Sequence, residues 1–227
     1  MSALGHPRLH LRLVDSTNAR ARDLALAGAP HGTLVTAAEQ SAGRGRQGRR
    51  WSAPPGPALL MSVLIREPPR LIPLMAGVAV ADVVGDAAAL KWPNDVQVDG
   101  RKVAGILVEG RAQERWAVVG IGLNVAVRIE DLPEELHATA TTMGLAQREV
   151  EPVLGRLLTA LERRLGDDES AALDAWRARD TLNGRDVAWN GGEGRAAGID
   201  DNGRLLVERP DGTVAALDSG EVHLRAA

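Results

Sequence analysis

Cysteine, phenylalanine and tyrosine are absent from this 227-residue chain, and lysine occurs only at Lys91 and Lys102. Without cysteine there can be no disulfide, no thiol nucleophile and no thiolate zinc site. Without Phe or Tyr the core must come from Leu, Val, Ile and Ala, with five Trp as the only aromatics. The scarcity of lysine says something different. Two of the 27 basic residues are lysine and the rest arginine. Where arginine carries the ordinary surface charge, a retained lysine points to a place where a compact ammonium differs from a planar guanidinium. Long apolar runs are also missing. The most apolar stretch, Leu71 to Leu90, is broken by Pro73, Asp82 and Asp86. The two aspartates fall four apart, which predicts a core helix with one wetted stripe. The first residues lack the apolar centre of a signal peptide, so a cytoplasmic protein without a membrane partner is expected. A net charge of −3 argues against a general nucleic-acid binder.

The length allows one substantial domain and a small second one. Alternation predicts strands over Arg8 to Val14, Thr33 to Ala38, Leu59 to Ile65, Ala89 to Trp92 and Trp116 to Leu123. Val96 to Val108 reads as a hairpin turning at Asp99-Gly100. Helices are expected over Ala19 to Ala27, Leu71 to Val84 and Glu151 to Leu165, with a fourth capped by Ser170 and ending at Arg179. From Asn183 the texture changes to short alternating runs separated by Gly-Gly, Asn-Gly and Asp-Gly turns. That pattern predicts a small all-β unit, and divides the chain into residues 1–180 and 181–227.

Three segments carry chemistry. In Gly43-Arg44-Gly45-Arg46-Gln47-Gly48-Arg49-Arg50-Trp51, four arginines crowd one glycine-rich loop. Such an arrangement is favourable around an anion, because guanidinium forks match paired oxygens and glycine lets backbone N–H groups approach. A solvated basic loop or an RNA-binding tract is the alternative. Both lysines lie on either side of the predicted hairpin, in Lys91-Trp92-Pro93-Asn94-Asp95 and Arg101-Lys102-Val103-Ala104-Gly105-Ile106-Leu107-Val108-Glu109. Asp95 could hold Mg²⁺ or pair with one of them. Gly120-Ile121-Gly122-Leu123-Asn124 lacks the third glycine of a dinucleotide fingerprint, and no Walker loop is present. The five histidines are too scattered for a metal site, and surface or capping roles are expected of them.

Taken in order, DSTN, EQSAGRGRQGRRW, KWPND, RKVAGILVEG and GIGLN resemble the motifs of biotin protein ligases, the biotin–[acetyl-CoA-carboxylase] ligase family. The resemblance is strong over residues 10 to 128 and weaker beyond. It implies an α/β (α+β) catalytic domain with a mixed sheet, related to lipoate ligases, followed by a small SH3-like C-terminal β-barrel. It implies that biotin and ATP form biotinyl-5′-AMP, and that the biotinyl group then passes to a lysine of a biotin carboxyl carrier protein. ATP, Mg²⁺ and biotin are the small molecules implied, and the resemblance allows a homodimer. Carried over residue by residue, Ser16, Thr17, Asn18 and Gln40 meet the ureido ring, while Gly105, Ile106 and Leu107 line the apolar part of biotin. Arg44, Gly45 and Arg46 close over the adenylate. Arg49, Trp51, Lys91 and Asn124, with Arg46, fall on the nucleotide side. Lys102, Arg46 and Asp95 are the catalytic candidates. Repressor members carry a DNA-binding domain before the DSTN segment. Too little chain precedes Asp15 for one, so neither repressor activity nor a nucleic-acid partner is expected.

Overall fold

A computed structural model describes residues 4–218, 220 and 222–224. The outer ends of the two expected units, Met1 and Ala227, lie outside the described residues. Strands β1 (Arg8–Val14), β2 (Leu34–Gln40), β3 (Ala58–Arg66), β4 (Ala88–Lys91), β5 (Asp95–Val98), β6 (Arg101–Arg111) and β7 (Trp116–Asn124) form one sheet. Its order is β1-β2-β3-β7-β6-β5-β4. Only β1 and β2 run parallel, because helix α1 (Thr17–Leu26) crosses over between them. The other neighbours are antiparallel. The sheet is thus mixed, in agreement with the expected α/β class. Asp99 and Gly100 both take positive φ, 50° and 72°, which is what the two-residue β5–β6 turn demands.

Strand parity sorts the residues into two faces. Leu59, Met61, Val63 and Ile65 of β3 and Val119, Ile121 and Leu123 of β7 enter the main core. Helix α2 (Ile72–Val84) packs over that face, with α3 (Val150–Leu165) and α4 (Glu169–Arg177) against α2. On the opposite face, Leu64, Val35 and Val118 meet Ala21 and Ala25 of α1.

Three local expectations are corrected. Helix α2 has no wetted stripe. Asp82 is only 12% exposed and lies 2.7 Å from Arg163, 2.7 Å from Arg164 and 3.0 Å from Arg179. Asp86 falls beyond the helix, which stops at Gly85. The cap of α4 is Asp168, whose carboxylate accepts from Ala171 N at 2.8 Å, and not Ser170. An aspartate there satisfies a free N–H and also meets the positive end of the helix dipole. Helix α1 likewise starts two residues early, capped by Ser16 through Ala19 N at 3.4 Å.

The C-terminal strands β8 (Asp186–Trp189), β9 (Gly192–Ile199), β10 (Leu205–Glu208), β11 (Val214–Leu217) and β12 (Val222–Leu224) form a second sheet. It is antiparallel throughout, in the order β11-β10-β9-β8-β12. Strand β12 was too short to show an alternating pattern. The two parts are sewn together. Trp92 Nε1 donates to Gly203 O at 3.0 Å, and Arg70 Nη1 donates to Asn202 Oδ1 at 2.6 Å. Leu90 N donates to Arg179 O at 2.7 Å, so the connecting segment pairs with β4. No described helix is long and apolar enough to cross a membrane.

Candidate functional site

The face of the sheet away from α2 opens into a cavity of about 520 Å³. Every site candidate from the sequence lines it: Ser16, Thr17, Asn18, Gln40, Arg44, Gly45, Arg46, Arg49, Trp51, Lys91, Asp95, Lys102, Gly105, Leu107 and Asn124. A wider cleft of about 1030 Å³ adjoins it, running past the arginine loop, Glu109 and the turn at Asn202.

The floor is made by glycines. A Cβ at Gly120 would come within 1.9 Å of Asn18 Oδ1, and one at Gly122 within 2.4 Å of Trp51 Cε2. The Gly-x-Gly of β7 therefore clears space for two side chains and is not a phosphate turn. Gly105 does the same on β6, where a Cβ would stand 3.1 Å from both Lys102 Cε and Trp51 Cζ3.

Lys102 reaches this face because of a β-bulge. Ala104 and Ile106 point into the core, so strict alternation would send residue 102 there too. The register against β5 shifts, with Val96 facing Ala104 but Gln97 facing Lys102. Val103 is the extra residue, fully buried, and the bulge turns Lys102 outward. Its Nζ lies 2.6 Å from Asp95 Oδ1 and 5.7 Å from the Trp51 ring centroid. Of the two alternatives for Asp95, pairing with a lysine is the one present here. The Lys102 backbone is also gripped, since Lys102 N donates to Thr139 O at 2.7 Å and Lys102 O accepts from Thr141 N at 2.8 Å. Asn124 Nδ2 in turn holds Thr141 O at 2.9 Å.

The arginine loop is a small hairpin. Trp51 N donates to Gly43 O at 3.0 Å, Gly45 N to Arg49 O at 2.8 Å, and Arg44 bridges to Arg50. Gln47 sits at φ 54°, followed by Gly48 at 75°. All four of the loop's arginines, Arg44, Arg46, Arg49 and Arg50, are brought to the same cavity as both lysines.

At the opposite end the groups are neutral. Gln40 Oε1 accepts from Thr17 N at 2.7 Å and from Thr17 Oγ1 at 3.1 Å. Ser62, fully buried on β3, lies 2.8 Å from Thr17 Oγ1 and donates to Asn18 Oδ1 at 2.6 Å. Sequence reasoning missed Ser62. The signal was there: a lone hydroxyl at an otherwise apolar run of a central strand needs a buried partner. It also missed Thr139, Ala140 and the second-sheet residues Val222 and His223, which line the cavity too. His223 is exposed, as expected of a surface histidine, and β12 places it at the rim of the cavity. Among the described residues no group of three His, Asp or Glu could hold a metal ion.

Three buried polar atoms at the cavity have no hydrogen-bond partner among the described residues: Asp95 Oδ1, which stands in ion-pair contact with Lys102 Nζ, and the pair Trp51 Nε1 and Asn124 Oδ1. Of that pair one is a donor and the other an acceptor, so together they suit a ligand edge that carries both.

Residues 10–125 match the Biotin/lipoate A/B protein ligase family, and residues 182–225 match the biotin protein ligase C-terminal domain. The chain is 37% identical to the biotin–[acetyl-CoA-carboxylase] ligase of Mycobacterium tuberculosis, over 92% of this chain and 86% of that protein. It is 36% identical to the bifunctional ligase/repressor BirA of Bacillus subtilis, over 97% of this chain and 75% of the relative. The fold is similar to that of the biotin protein ligase from Aquifex aeolicus in complex with biotin and ATP. There the TM-score is 0.81 at 28% identity, covering 98% of this chain and 100% of that one.

Proposed function

The chain belongs to the biotin protein ligase family, and from that premise we propose how its cavity activates biotin and transfers it to a carboxylase. In the first step a biotin carboxylate oxygen attacks the α-phosphorus of ATP and pyrophosphate leaves, giving biotinyl-5′-AMP. In the second, the amine of an acceptor lysine on the carrier attacks the acyl carbon and AMP leaves.

The observation that carries this reading is the polarity of the single cavity. Thr17 and Gln40 stand at a neutral, hydrogen-bonding end, Leu107 and Ile106 line the middle, and Arg44, Arg46, Arg49, Lys91 and Lys102 converge on the same space. A ureido ring, an aliphatic chain and a carboxylate facing a triphosphate have that same succession of chemistries. Lys102 is placed where carboxylate and α-phosphate would meet. Its three rotatable donors can follow oxygens whose charge changes during displacement. Asp95 orients that ammonium, and Trp51 closes its other side. Arg44, Gly45 and Arg46 cover the adenylate and exclude water from the mixed anhydride. Trp51 Nε1 and Asn124 Oδ1 supply the donor and acceptor for the base of the nucleotide, with Arg49 and Lys91 on its phosphates. Ser16 supports the neutral end from the cap of α1.

Asp95 is committed to Lys102, and no third acidic or imidazole group joins it among the described residues. A Mg²⁺ entering with ATP would therefore be held mainly by phosphate oxygens, with Asp95 as the carboxylate lining the cavity, and would neutralise charge on the leaving pyrophosphate. Residues 1–180 carry this chemistry in the proposal, while 181–227 supply a wall of the cavity. Biotin-dependent ATP–pyrophosphate exchange, with lipoate as the control acid, is the test. Exchange is expected with biotin, and its absence would refute the reading.

A further inference from the structure

Behind Thr17 and Gln40 runs a chain of polar side chains that does not itself reach the reacting atoms. Asn18, 4% exposed, donates through Nδ2 to Glu109 Oε2 at 2.8 Å and to Leu107 O at 3.2 Å. Its Oδ1 accepts from Ser62 Oγ. Glu109 takes Arg22 Nη1 on its other oxygen at 3.1 Å. The missing Cβ of Gly120 makes the room in which the Asn18 amide stands.

Proton counting along this chain gives it a direction. Glu109 and the Leu107 carbonyl only accept, so both require the NH₂ end of Asn18. The amide oxygen then faces Ser62, whose single proton is committed to it. Ser62 therefore has no proton left for Thr17, and Thr17 sends its own proton to Ser62 or to Gln40. A lone pair on Thr17 Oγ1 is left for whatever enters the cavity.

We propose that Glu109, acting through Asn18 and Ser62, is a positioning residue that keeps Thr17 an acceptor and so selects a ligand presenting an N–H there. The inference rests on the reading that the ureido end of biotin sits at Thr17 and Gln40. It adds a source of specificity remote from the ligand. A ring without N–H donors, such as a dithiolane, gains nothing from that lone pair.

Glu109→Gln preserves shape but breaks the order. Arg22 can only donate, so it takes the single remaining oxygen and turns the new NH₂ toward Asn18. Two donors then face each other, and relief comes from turning the Asn18 amide over. Its NH₂ would then occupy the acceptor side of Ser62, whose proton swings onto Thr17 and takes one of its two lone pairs, weakening what Thr17 offers the ligand. Ser62→Ala removes the middle link without adding bulk.

The experiment measures KM for biotin, desthiobiotin and ATP by pyrophosphate exchange, with a thermal melt of each variant. For Glu109→Gln, KM for biotin should rise about tenfold while KM for ATP stays within about twofold. Ser62→Ala, which leaves no proton to swing onto Thr17, should cost biotin less and should cancel most of the Glu109→Gln effect when the two are combined. Desthiobiotin, which keeps the ureido group without the thiophane ring, should show the same loss. Biotin KM unchanged in Glu109→Gln, or raised as much in the combined Glu109→Gln and Ser62→Ala variant as in Glu109→Gln alone, would overturn the relay. So would a rise shared equally by biotin and ATP with a lowered melting point, which is the signature of a merely structural role. No biotin exchange in the wild type would instead overturn the ligase reading on which the relay rests.

Discussion

The two faces of the seven-stranded sheet are made by the same strands and differ in almost everything else. On β3 the residues toward α2 are Leu59, Met61, Val63 and Ile65, whereas Leu60, Ser62 and Leu64 turn the other way. On β7, Val119, Ile121 and Leu123 alternate with Gly120, Gly122 and Asn124. The closed face fills most positions with a branched or long apolar side chain, alanine standing at Ala104 and Ala117, and is covered by helices. The open face gives up volume at the centre, so that Asn18 and Trp51 can lie against bare backbone. Each glycine in a strand costs about 0.5–1 kcal/mol relative to alanine. The open face therefore carries a stability deficit that the closed face must offset. Stability and chemistry are separated by the period of two.

The separation breaks most visibly if a closed-face substitution disturbs catalysis. Trp176 of α4 is fully buried, and its ring edge lies where a Cβ on Gly77 would come within 2.8 Å. Trp176→Ala should cost about 3–5 kcal/mol, read as a fall of roughly 10 °C in melting temperature. Exchange activity per folded molecule should hold at temperatures below the transition. If it collapses there as well, the faces are coupled.

Lys102→Arg is the converse case. Charge is kept, but the slot between Asp95, Gly105 and Trp51 suits an ammonium better than a planar fork. Pyrophosphate exchange should fall by about 100-fold, equivalent to about 2.7 kcal/mol of barrier, with an unchanged melt. Activity within twofold of wild type would remove the argument for an ammonium at this position.

Gly122→Ala sets propensity against space. Alanine is the better strand residue, yet its methyl would meet the Trp51 indole at 2.4 Å. The indole must move, and KM for ATP should rise about tenfold, about 1.4 kcal/mol, with a smaller effect on biotin. A higher melting point with unaltered ATP kinetics would show that Trp51 does not serve the nucleotide.

Such contrasts also mark what the sequence could reveal. The β5–β6 hairpin was legible because Asp99-Gly100 has one good geometric use, and α2 was legible from its unbroken apolar composition. The two lysines were legible through composition alone, and the structure brings both to one cavity with Asp95. The bulge at Val103 was not legible. Arg101 to Glu109 carries no turn or breaker at Val103 that would mark a bulge, and only the shifted register against β5 shows that Lys102 escapes the core. Nor could the Gly-x-Gly of β7 be understood from its neighbours, because the side chains it accommodates arrive from α1 and the arginine loop. Helix ends moved by one or two residues since Ser16 and Asp168 compete with nearby capping residues. The environment of Asp82 depended on arginines distant in sequence that only folding assembles.

That last cluster supplies the mildest test of the comparison, because it belongs wholly to the closed face. Burial pushes the Asp82 carboxyl up. The hydrogen bond and charge of Arg164, the charge of Arg179 and the hydrogen bond of Arg163 outweigh it and hold the group below the usual carboxylate range. A carboxyl depressed by folding stabilises the native state above its unfolded value of about 3.9, and that contribution disappears as pH falls through the folded value. Glu151 beside Arg8 and Glu169 beside Arg70 are lowered as well, so acid alone does not single out Asp82. The difference between wild type and Asp82→Asn does. At pH 7 the variant leaves three arginines facing a neutral amide, and its urea midpoint should lie clearly below that of wild type. Toward pH 3 the carboxyl of the unfolded chain takes up a proton while the folded one resists, and the gap should narrow. A gap that stays constant from pH 7 to pH 3 would mean that Asp82 contributes by packing and hydrogen-bond shape, with its charge irrelevant to how α3 and α4 are held over the sheet.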